Sequence, residues 1–411
     1  MKRVEKVRLY PTLRQERELR FMLDVTRQLY NAALQERREA YRLRKVSISA
    51  KCQYKQLTEM RKIDRLDGRI NAVYRECEDA VLHRLDLAME AFFRRCKAGE
   101  TPGYPRFKAA SRFKQLTFPH GSRALRFDEA QHRVFVPGVG KVRLRKGRTV
   151  PPFGRAWLTL RNERWYASFE CERLPQQGPI DLRRVLGVDR GTHVLAATSE
   201  GELVRNAAVG EKRKAATARL QRELEDVTER DTRGFVLNRK DPKRRKAVLR
   251  LGRSREHESN ARLDHAFKVA HKLVYQTSVI ALEVLALRNM TRSARGTVQK
   301  PGRNVAAKAG LNRVILDAGF GLLGKLIVAK AEEAARKVMW VDPKFTSQEC
   351  SRCGLRAAQS RRRRRFVCIG CGYRCHADVN AALVIRGRAQ SVLMSEPYPA
   401  GEAGGRARRA A

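Results

Sequence analysis

Apolar residues recur along this chain with two rhythms, and the changes between them divide it. KVRLYPT (6–12) alternates briefly and stops at Pro11, which predicts a short strand. Thr12 then opens a helix, with Gln15 three residues on to close a capping box. Leu19, Met22, Leu23, Thr26, Tyr30 and Ala33 follow at helical spacing and predict one buried face. Leu82, Leu85, Met89 and Phe92 or Phe93 repeat that spacing over 81–96, with Arg and Lys on the opposite faces. From 116 to 171 the period shifts towards two. VFVPG, KVRLRKG and WLTLRNERWYASFEC predict an antiparallel barrel or sandwich, with Trp165, Ala167, Phe169 and Cys171 on one face. LPQQGP (174–179) reads as a linker.

Beyond it, VLGVDRG and VLAATSEGE predict a two-strand hairpin. A highly charged helical region covers about 210–275, interrupted near Asp241–Pro242, and its last helix is marked by Leu263, Phe267, Ala270 and Val274. VIALE (279–283) is a short apolar strand ending in an acid, and the Gly-, Arg- and Lys-rich stretch 289–310 reads as a mobile loop. A helix over 320–338, a strand near 339–341, a cysteine cluster and a helix over 379–385 complete the pattern. The tail after 387 has the composition of a disordered segment. No internal repeat is present. No window approaches a membrane-spanning length, and the basic N-terminus lacks the apolar core of a secretory signal, so an intracellular, cytoplasmic protein is expected.

Charge changes the picture. Lys and Arg number 88 against 43 Asp and Glu, a net charge of +45 over 411 residues. A GC-rich genome raises Arg but does not account for such an excess over acids. A polyanionic partner offsets the self-repulsion and gains entropy from released counterions. Nucleic acid is that partner, with an anionic membrane surface the minor alternative. AGETPGYPRFKAASRF (98–113) interleaves Tyr104, Phe107 and Phe113 with Arg106, Lys108 and Arg112. This mixture suits base stacking with phosphate contact, and equally suits a plain loop packing its aromatic rings inward.

Four of the nine cysteines are scattered; the other five lie between 350 and 375. Cys350-x2-Cys353, fourteen residues, then Cys368-x2-Cys371 is a zinc-ribbon spacing, with Gly354 and Gly372 after the pairs as tight turns require. Four thiolates make a closed tetrahedral shell for one structural Zn²⁺, with no open position for catalysis. Cys375 or His376 is an alternative ligand. Arg361, Arg362, Arg363, Arg364 and Arg365 lie between the pairs, as solvated charge or as a phosphate clamp.

Asp378 follows Cys371 by seven residues. As the zinc shell is full without it, Asp378 is either the N-cap of the next helix or one part of a site assembled from afar. Asp189 ends the apolar strand VLGV and Glu283 ends VIAL. Acids brought together at strand ends need a cation among them, and two Mg²⁺ ions about 4 Å apart, bridged by hard carboxylate oxygens, supply it.

GVDRG (187–191), ALEVLALRNM (281–290) and CGYRCHADVNAA (371–382) resemble the three RuvC motifs of the TnpB family of insertion-sequence-encoded RNA-guided nucleases, which are related to compact type V CRISPR effectors. TSQECSRCG (346–354) resembles its zinc-ribbon opening and GYPRFK (103–108) the segment ahead of its wedge domain. One departure is Cys375-His376-Ala377, where many relatives carry a charged residue before the third acid. The resemblance implies a multidomain α/β protein. Its expected parts are a first wedge strand (1–12), a helical recognition lobe (13–110), a wedge β-barrel (111–178) and an RNase H-like RuvC nuclease domain (181–345) with a lid loop at about 288–310. A zinc-ribbon target-nucleic-acid-binding element (346–373), the third RuvC motif (374–387) and a disordered tail (388–411) follow. It further implies Asp189, Glu283 and Asp378 as Mg²⁺-binding catalytic acids, Tyr104, Arg106, Phe107, Lys108 and Arg361 to Arg365 on nucleic acid, and one protein monomer per guide RNA. Target double-stranded DNA is the implied substrate. A compact CRISPR effector, a cleavage-deficient RNA-guided regulator and a directly acting transposase are the alternatives.

Overall fold

The computed structural model of the chain describes residues 2–63, 68–147, 150–172, 174–175, 180–207, 211–297 and 299–395. It divides into two compact units, Met1–Arg173 and Leu174–Ala411. Of the expected linker, 176–179 lie outside the described residues; so do 396–411 of the expected tail and residue 298 of the expected loop.

The first unit joins three long helices, a one-turn helix and a seven-stranded sheet. Strand β1 (Lys2–Tyr10) leads into helix α1 (Leu13–Arg44), whose Thr12–Gln15 capping box is formed in both directions. All six residues of the α1 face read from the sequence are buried. Helix α2 (Ala50–Ile63) is one the spacing did not reveal, since of its fourteen residues only Gln53 and Leu57 are buried. Helix α3 (Arg75–Lys97) packs on α1. Strands β2 (Gln115–Phe118), β3 (Arg126–Asp128), β4 (Arg133–Val136), β5 (Gly140–Leu144), β6 (Phe153–Arg161) and β7 (Arg164–Glu172) complete an antiparallel sheet ordered β2-β6-β7-β1-β5-β4-β3, with a one-turn helix α4 (Gly121–Ala124) between β2 and β3. Trp165, Ala167, Phe169 and Cys171 are all at most 2% exposed, as strand alternation requires.

In the second unit, β8 (Val185–Asp189), β9 (Val194–Thr198) and β10 (Leu203–Arg205) form an antiparallel meander. Helices α5 (Glu211–Asp226) and α6 (Pro242–Tyr275) follow, then β11 (Val279–Glu283), the short α7 (Leu287–Met290), α8 (Val305–Ala318), α9 (Phe320–Glu333) and β12 (Lys337–Val341). The sheet order is β10-β9-β8-β11-β12, with β8, β11 and β12 parallel. Strands β8 and β11 are buried on both faces, which is why they read as continuous apolar runs, whereas the edge strand β12 leaves Trp340 exposed. Leu186, Val188, Ile280 and Leu282 face α6 and α9; Val185, Val279, Ala281, Met339 and Val341 face the last helix, α10 (Ala377–Ser395). A small sheet of β13 (Arg361–Arg362), β14 (Arg365–Val367) and β15 (Arg374–His376) precedes α10.

Four expectations are corrected. The buried face of α6 is Ala266, Val269, Ala270, Leu273 and Val274; Leu263 is exposed, because the stripe that meets the sheet drifts round so long a helix. Helix α8 begins inside the stretch read as loop, its Gly310 and two lysines or arginines tolerated on a mostly exposed face. The helix read over 320–338 stops at Glu333, where Ala335 turns the chain with φ +50° into β12. The tail does not begin at 388: α10 continues to Ser395, with Ala389 buried against the sheet.

Candidate metal centre

The parallel strands β8 and β11 end side by side, and each carries an acid at the end of its apolar run, Asp189 and Glu283. Carboxyl ends of parallel strands are where open α/β sheets place ligands. Helix α10 crosses the same sheet and delivers Asp378 in its first turn. It sits close because β8 offers Gly187 at the crossing, where an added Cβ would lie 2.1 Å from the carbonyl oxygen of Ala382. Asp189, Glu283 and Asp378 thus line one pocket of about 340 Å³, together with Thr346, Ser347 and Arg361.

The electrostatics are those of crowded acids. Burial first, then the charges of Glu283 and Asp378, push the Asp189 carboxyl up to about 7. Burial also raises Glu283, against the opposing pull of a hydrogen bond donated by Thr346 Oγ1 and of nearby arginines. Arg361 Nη2 donates to Asp378 Oδ1 at 3.0 Å. Asp378 is therefore not the helix cap: it is the second residue of α10, and its own N–H donates to His376 Nδ1 at 3.3 Å. Three carboxylates with hard oxygen donors and too much like charge fit divalent cations such as Mg²⁺.

The cysteines form a tighter group. The sulfurs of Cys350, Cys353, Cys368 and Cys371 all lie within 4.8 Å of one another, a clustering that the three carboxylates do not match. Cys350 Sγ is 3.7 Å from Cys371 Sγ, and Cys353 Sγ 3.6 Å from Cys368 Sγ. The backbone amides of Cys371 and Gly370 hold the Cys368 thiol down at about 6. The Leu355 amide lowers Cys353 too, but the surrounding sulfurs outweigh it and push that thiol up to about 12. Four thiols so close cannot all ionise without a soft cation, and this donor set fits Zn²⁺. Cys375 and His376 stand outside the group.

The other expected residues separate. Arg362 to Arg365 are exposed, Arg363 and Arg364 on the turn between β13 and β14, whereas Arg361 turns inward to Asp378. In the first unit, Phe113 is buried, while Tyr104 and Phe107 are 39% and 45% exposed. Tyr104 packs edge-on against Phe92, Arg106 is exposed, and the Lys108 backbone is held on both sides by Asn31. The loop is thus half core and half open surface.

Three residues at the metal centre escaped the sequence reading. Arg190 is buried beneath it, donates from Nη2 to the Glu283 carbonyl at 2.6 Å and lies over the Trp340 ring. Its guanidinium fits because residue 324 is glycine; a Cβ there would meet Nη1 at 2.1 Å. Thr346 binds Glu283 from the segment entering the ribbon. Asn380, fully buried, accepts from the Ser351 N–H and donates to the Glu349 carbonyl, tying α10 to the first cysteine turn. Each lies inside a quoted motif, Arg190 in GVDRG, Thr346 in TSQECSRCG and Asn380 in CGYRCHADVNAA, but the motifs alone assign none of them a role.

Three family models match: "Helix-turn-helix domain" of the OrfB/IS605 type over 1–45, "Probable transposase" of that type over 169–294, and "Cas12f1-like, TNB domain" over 320–385. Over the first of these the structure has one strand and a single helix up to Arg44. The chain is 30% identical over 405 residues to the "Putative RNA-guided DNA endonuclease InsQ" of Escherichia coli K12, covering 96% of this chain and 94% of that protein. It is 26% identical to a "Putative RNA-guided DNA endonuclease" of Streptomyces pristinaespiralis, covering 93% and 88%. Among solved structures, the mini-RNA-guided endonuclease CRISPR-Cas_phi3 shares the fold at a TM-score of 0.51 and 10% identity, over 95% of this chain and 92% of that one. With a relative this similar along nearly the whole of both sequences, the chain belongs to the OrfB-type insertion-sequence family, the TnpB family.

Proposed function

We propose that this protein is an RNA-guided DNA endonuclease that cleaves double-stranded DNA paired with a transposon-derived guide RNA beside a short adjacent motif. The single observation that carries the reading is the meeting of Asp189, Glu283 and Asp378 in one pocket at the strand ends. On this reading the second unit is an RNase H-like RuvC domain with a zinc ribbon inserted before its third motif, and the first unit combines wedge barrel and recognition lobe. The catalytic cofactor is a pair of Mg²⁺ ions, which when bound activate water and stabilise the departing 3′ oxygen.

The chain's own residues do the rest. Asp189, Glu283 and Asp378 are the ligands. Arg190 anchors the end of β11 through the Glu283 carbonyl, and Thr346 orients the Glu283 carboxylate. Arg361 offsets Asp378 charge and lines the same pocket, where it would neutralise a substrate phosphate. Because base pairing reads the sequence, the protein needs to hold a heteroduplex by shape and charge, and the net +45 serves that. A compact CRISPR effector is the same chemistry with a different guide.

The test is to sequence the RNA that copurifies from the host, then offer matching DNA with randomised flanks and Mg²⁺. Cleavage beside one enriched motif is expected, and Asp189→Ala abolishes it while leaving RNA retention intact. Equal cleavage by that variant removes Asp189 from the site.

A further inference from the structure

The cysteine shell and the acid site are joined by the chain that forms the ribbon. The ribbon's buried core is Cys350, Phe366, Cys368 and Ala377, with Tyr373 and Cys375 packed against it. Two of those four buried residues are zinc ligands, and Phe366 is the one large side chain among them. Strands β13, β14 and β15 run to two, three and three residues. A core this small does not order a chain by itself, and a structural Zn²⁺ supplies the missing folding energy.

The ribbon in turn holds two of the three acids. Thr346 lies four residues before Cys350, is 4% exposed, and donates its hydroxyl to Glu283 Oε1. Just beyond it, Glu349 pairs with Arg356 across the first cysteine turn, and the Ala357 N–H donates to the Gln348 carbonyl at 3.2 Å. After the second cysteine turn, the Ala377 N–H donates to the Arg364 carbonyl at 2.8 Å. Asn380 binds Ser351 and Glu349, so the first turn of α10, with Asp378, is anchored to the ribbon. Asp189 is placed by β8 itself, between β9 and β11.

The backbone between Glu283's partner and the cysteines is strained. Phe345 stands in the left-handed region at φ +60°, where bulky residues are rarely found. Its ring is 52% exposed, so burial of the ring does not offset that cost. Such conformations persist where the surroundings over-determine them. Here the Gln348 and Glu349 N–H groups both donate to the Phe345 carbonyl at 2.9 Å, and these are the two residues that the first cysteine turn holds. A ribbon that loosens lets the chain relax at Phe345 and withdraws the Thr346 hydroxyl from Glu283.

We propose that zinc in the cysteine shell governs the affinity of the acid site for divalent cations, with Thr346 as the positioning residue that carries the coupling. The inference rests on the proposed cation site at Asp189, Glu283 and Asp378 and adds its control by the ribbon. Arg361 does not supply that link: its guanidinium competes with a cation for Asp378, so its release acts in the opposite direction. Coupling between two binding sites is reciprocal, so a cation on the acids tightens zinc by the same factor.

Mn²⁺ prefers oxygen ligands as Mg²⁺ does and serves as the probe. Its binding to the full-length chain is read from the loss of the free-ion electron paramagnetic resonance signal, in zinc-loaded protein and in zinc-stripped, thiol-reduced protein. Stripping zinc should weaken Mn²⁺ binding about tenfold, within the range usual for coupled sites. Thr346→Val, with zinc bound, should bind Mn²⁺ several-fold more weakly than the parent. Stripping zinc from that variant should then cost only about twofold, because the contact that zinc controls is already gone. A second measurement needs no zinc-free protein: zinc is drawn off by a chromophoric chelator that ignores Mg²⁺. Saturating Mg²⁺ should raise zinc affinity about tenfold in the parent and leave it unchanged in Asp189→Ala. Equal Mn²⁺ affinity with and without zinc, a full zinc effect in Thr346→Val, or zinc affinity indifferent to Mg²⁺ overturns the coupling and leaves the acid site standing. Absence of Mn²⁺ binding in zinc-loaded protein overturns the acid site and this inference together.

Discussion

Replacing Gly187 by alanine adds one methyl group where β8 meets α10. The new carbon would stand 2.1 Å from the Ala382 carbonyl oxygen, 2.7 Å from the Arg386 nitrogen and 2.9 Å from Arg386 Cβ. The first of these is about 1.3 Å short of an ordinary 3.4 Å contact. Two of the three obstacles are backbone atoms, so no side-chain rotation relieves them, and α10 must retreat by about 1 Å. Overpacking of a filled core costs roughly 1–3 kcal/mol, and a contact against backbone belongs at the upper end, about 3 kcal/mol. Ala382 lies one helical turn after Asp378, so the same retreat draws that carboxylate away from Asp189. Misplacement of about 1 Å at a reacting centre costs on the order of 10²-fold in rate. Urea melts followed by fluorescence, and single-turnover cleavage at saturating guide RNA, measure the two effects separately. A variant that melts within about 0.5 kcal/mol of the parent and cleaves at the parental rate would refute the close helix–strand approach on which the site depends.

Cys353→Ser should lower bound zinc, measured by plasma mass spectrometry, from one ion per chain to almost none; an unchanged content rejects that ligand. Thr346→Val leaves the buried Glu283 carboxylate without its hydroxyl donor, a loss worth about 1–3 kcal/mol, so half-maximal cleavage should need several-fold more Mg²⁺; an unaltered Mg²⁺ dependence shows that the contact is idle. Asp189, raised from 3.8 to about 7, holds its proton in the folded protein and loses it in the unfolded chain, so its contribution to stability is greatest below pH 4 and is lost as pH rises towards 7. In EDTA-treated protein, Asp189→Asn should therefore stabilise at pH 8, by at most about 4 kcal/mol for a rise of about three in pKa at about 1.4 kcal/mol each, and not at pH 4. Glu78, a buried acid of the first unit also raised to about 7, titrates in both proteins and cancels in the comparison. Equal melting of parent and variant at pH 8 would remove the charge crowding from the site.

Elements that bury a regular stripe or an alternating row were legible in the sequence: the α1 face, the capping box at Thr12, and the Trp165-to-Cys171 row. Elements held by few buried residues were not. Helix α2 buries one leucine and one glutamine, so no apolar period announces it, and α8 shows a glycine and scattered cations where Ile315 alone is buried. Asp189 and Glu283 stood out because each stops an apolar run, a local pattern, whereas Asp378 stood out only by its spacing from Cys371. Arg190, Thr346 and Asn380 act through backbone groups and partners distant in the sequence, at separations of 93, 63 and 31 residues, and no one-dimensional pattern encodes such pairs. Arg361 was read with its four neighbours as one basic run; strand alternation in β13 and its hairpin partner turns Arg361 towards Asp378 and leaves the other four exposed.

The order in which the site is threaded has a consequence for biosynthesis. Asp189 and Glu283 leave the ribosome on strands that pair with each other, whereas Asp378 arrives on α10, after the cysteine turns to which Asn380 ties it. A growing polypeptide can therefore complete its sheet while still lacking the third acid. On the proposed reading, a nascent chain would stay unable to cut DNA until α10 has emerged and docked on the sheet.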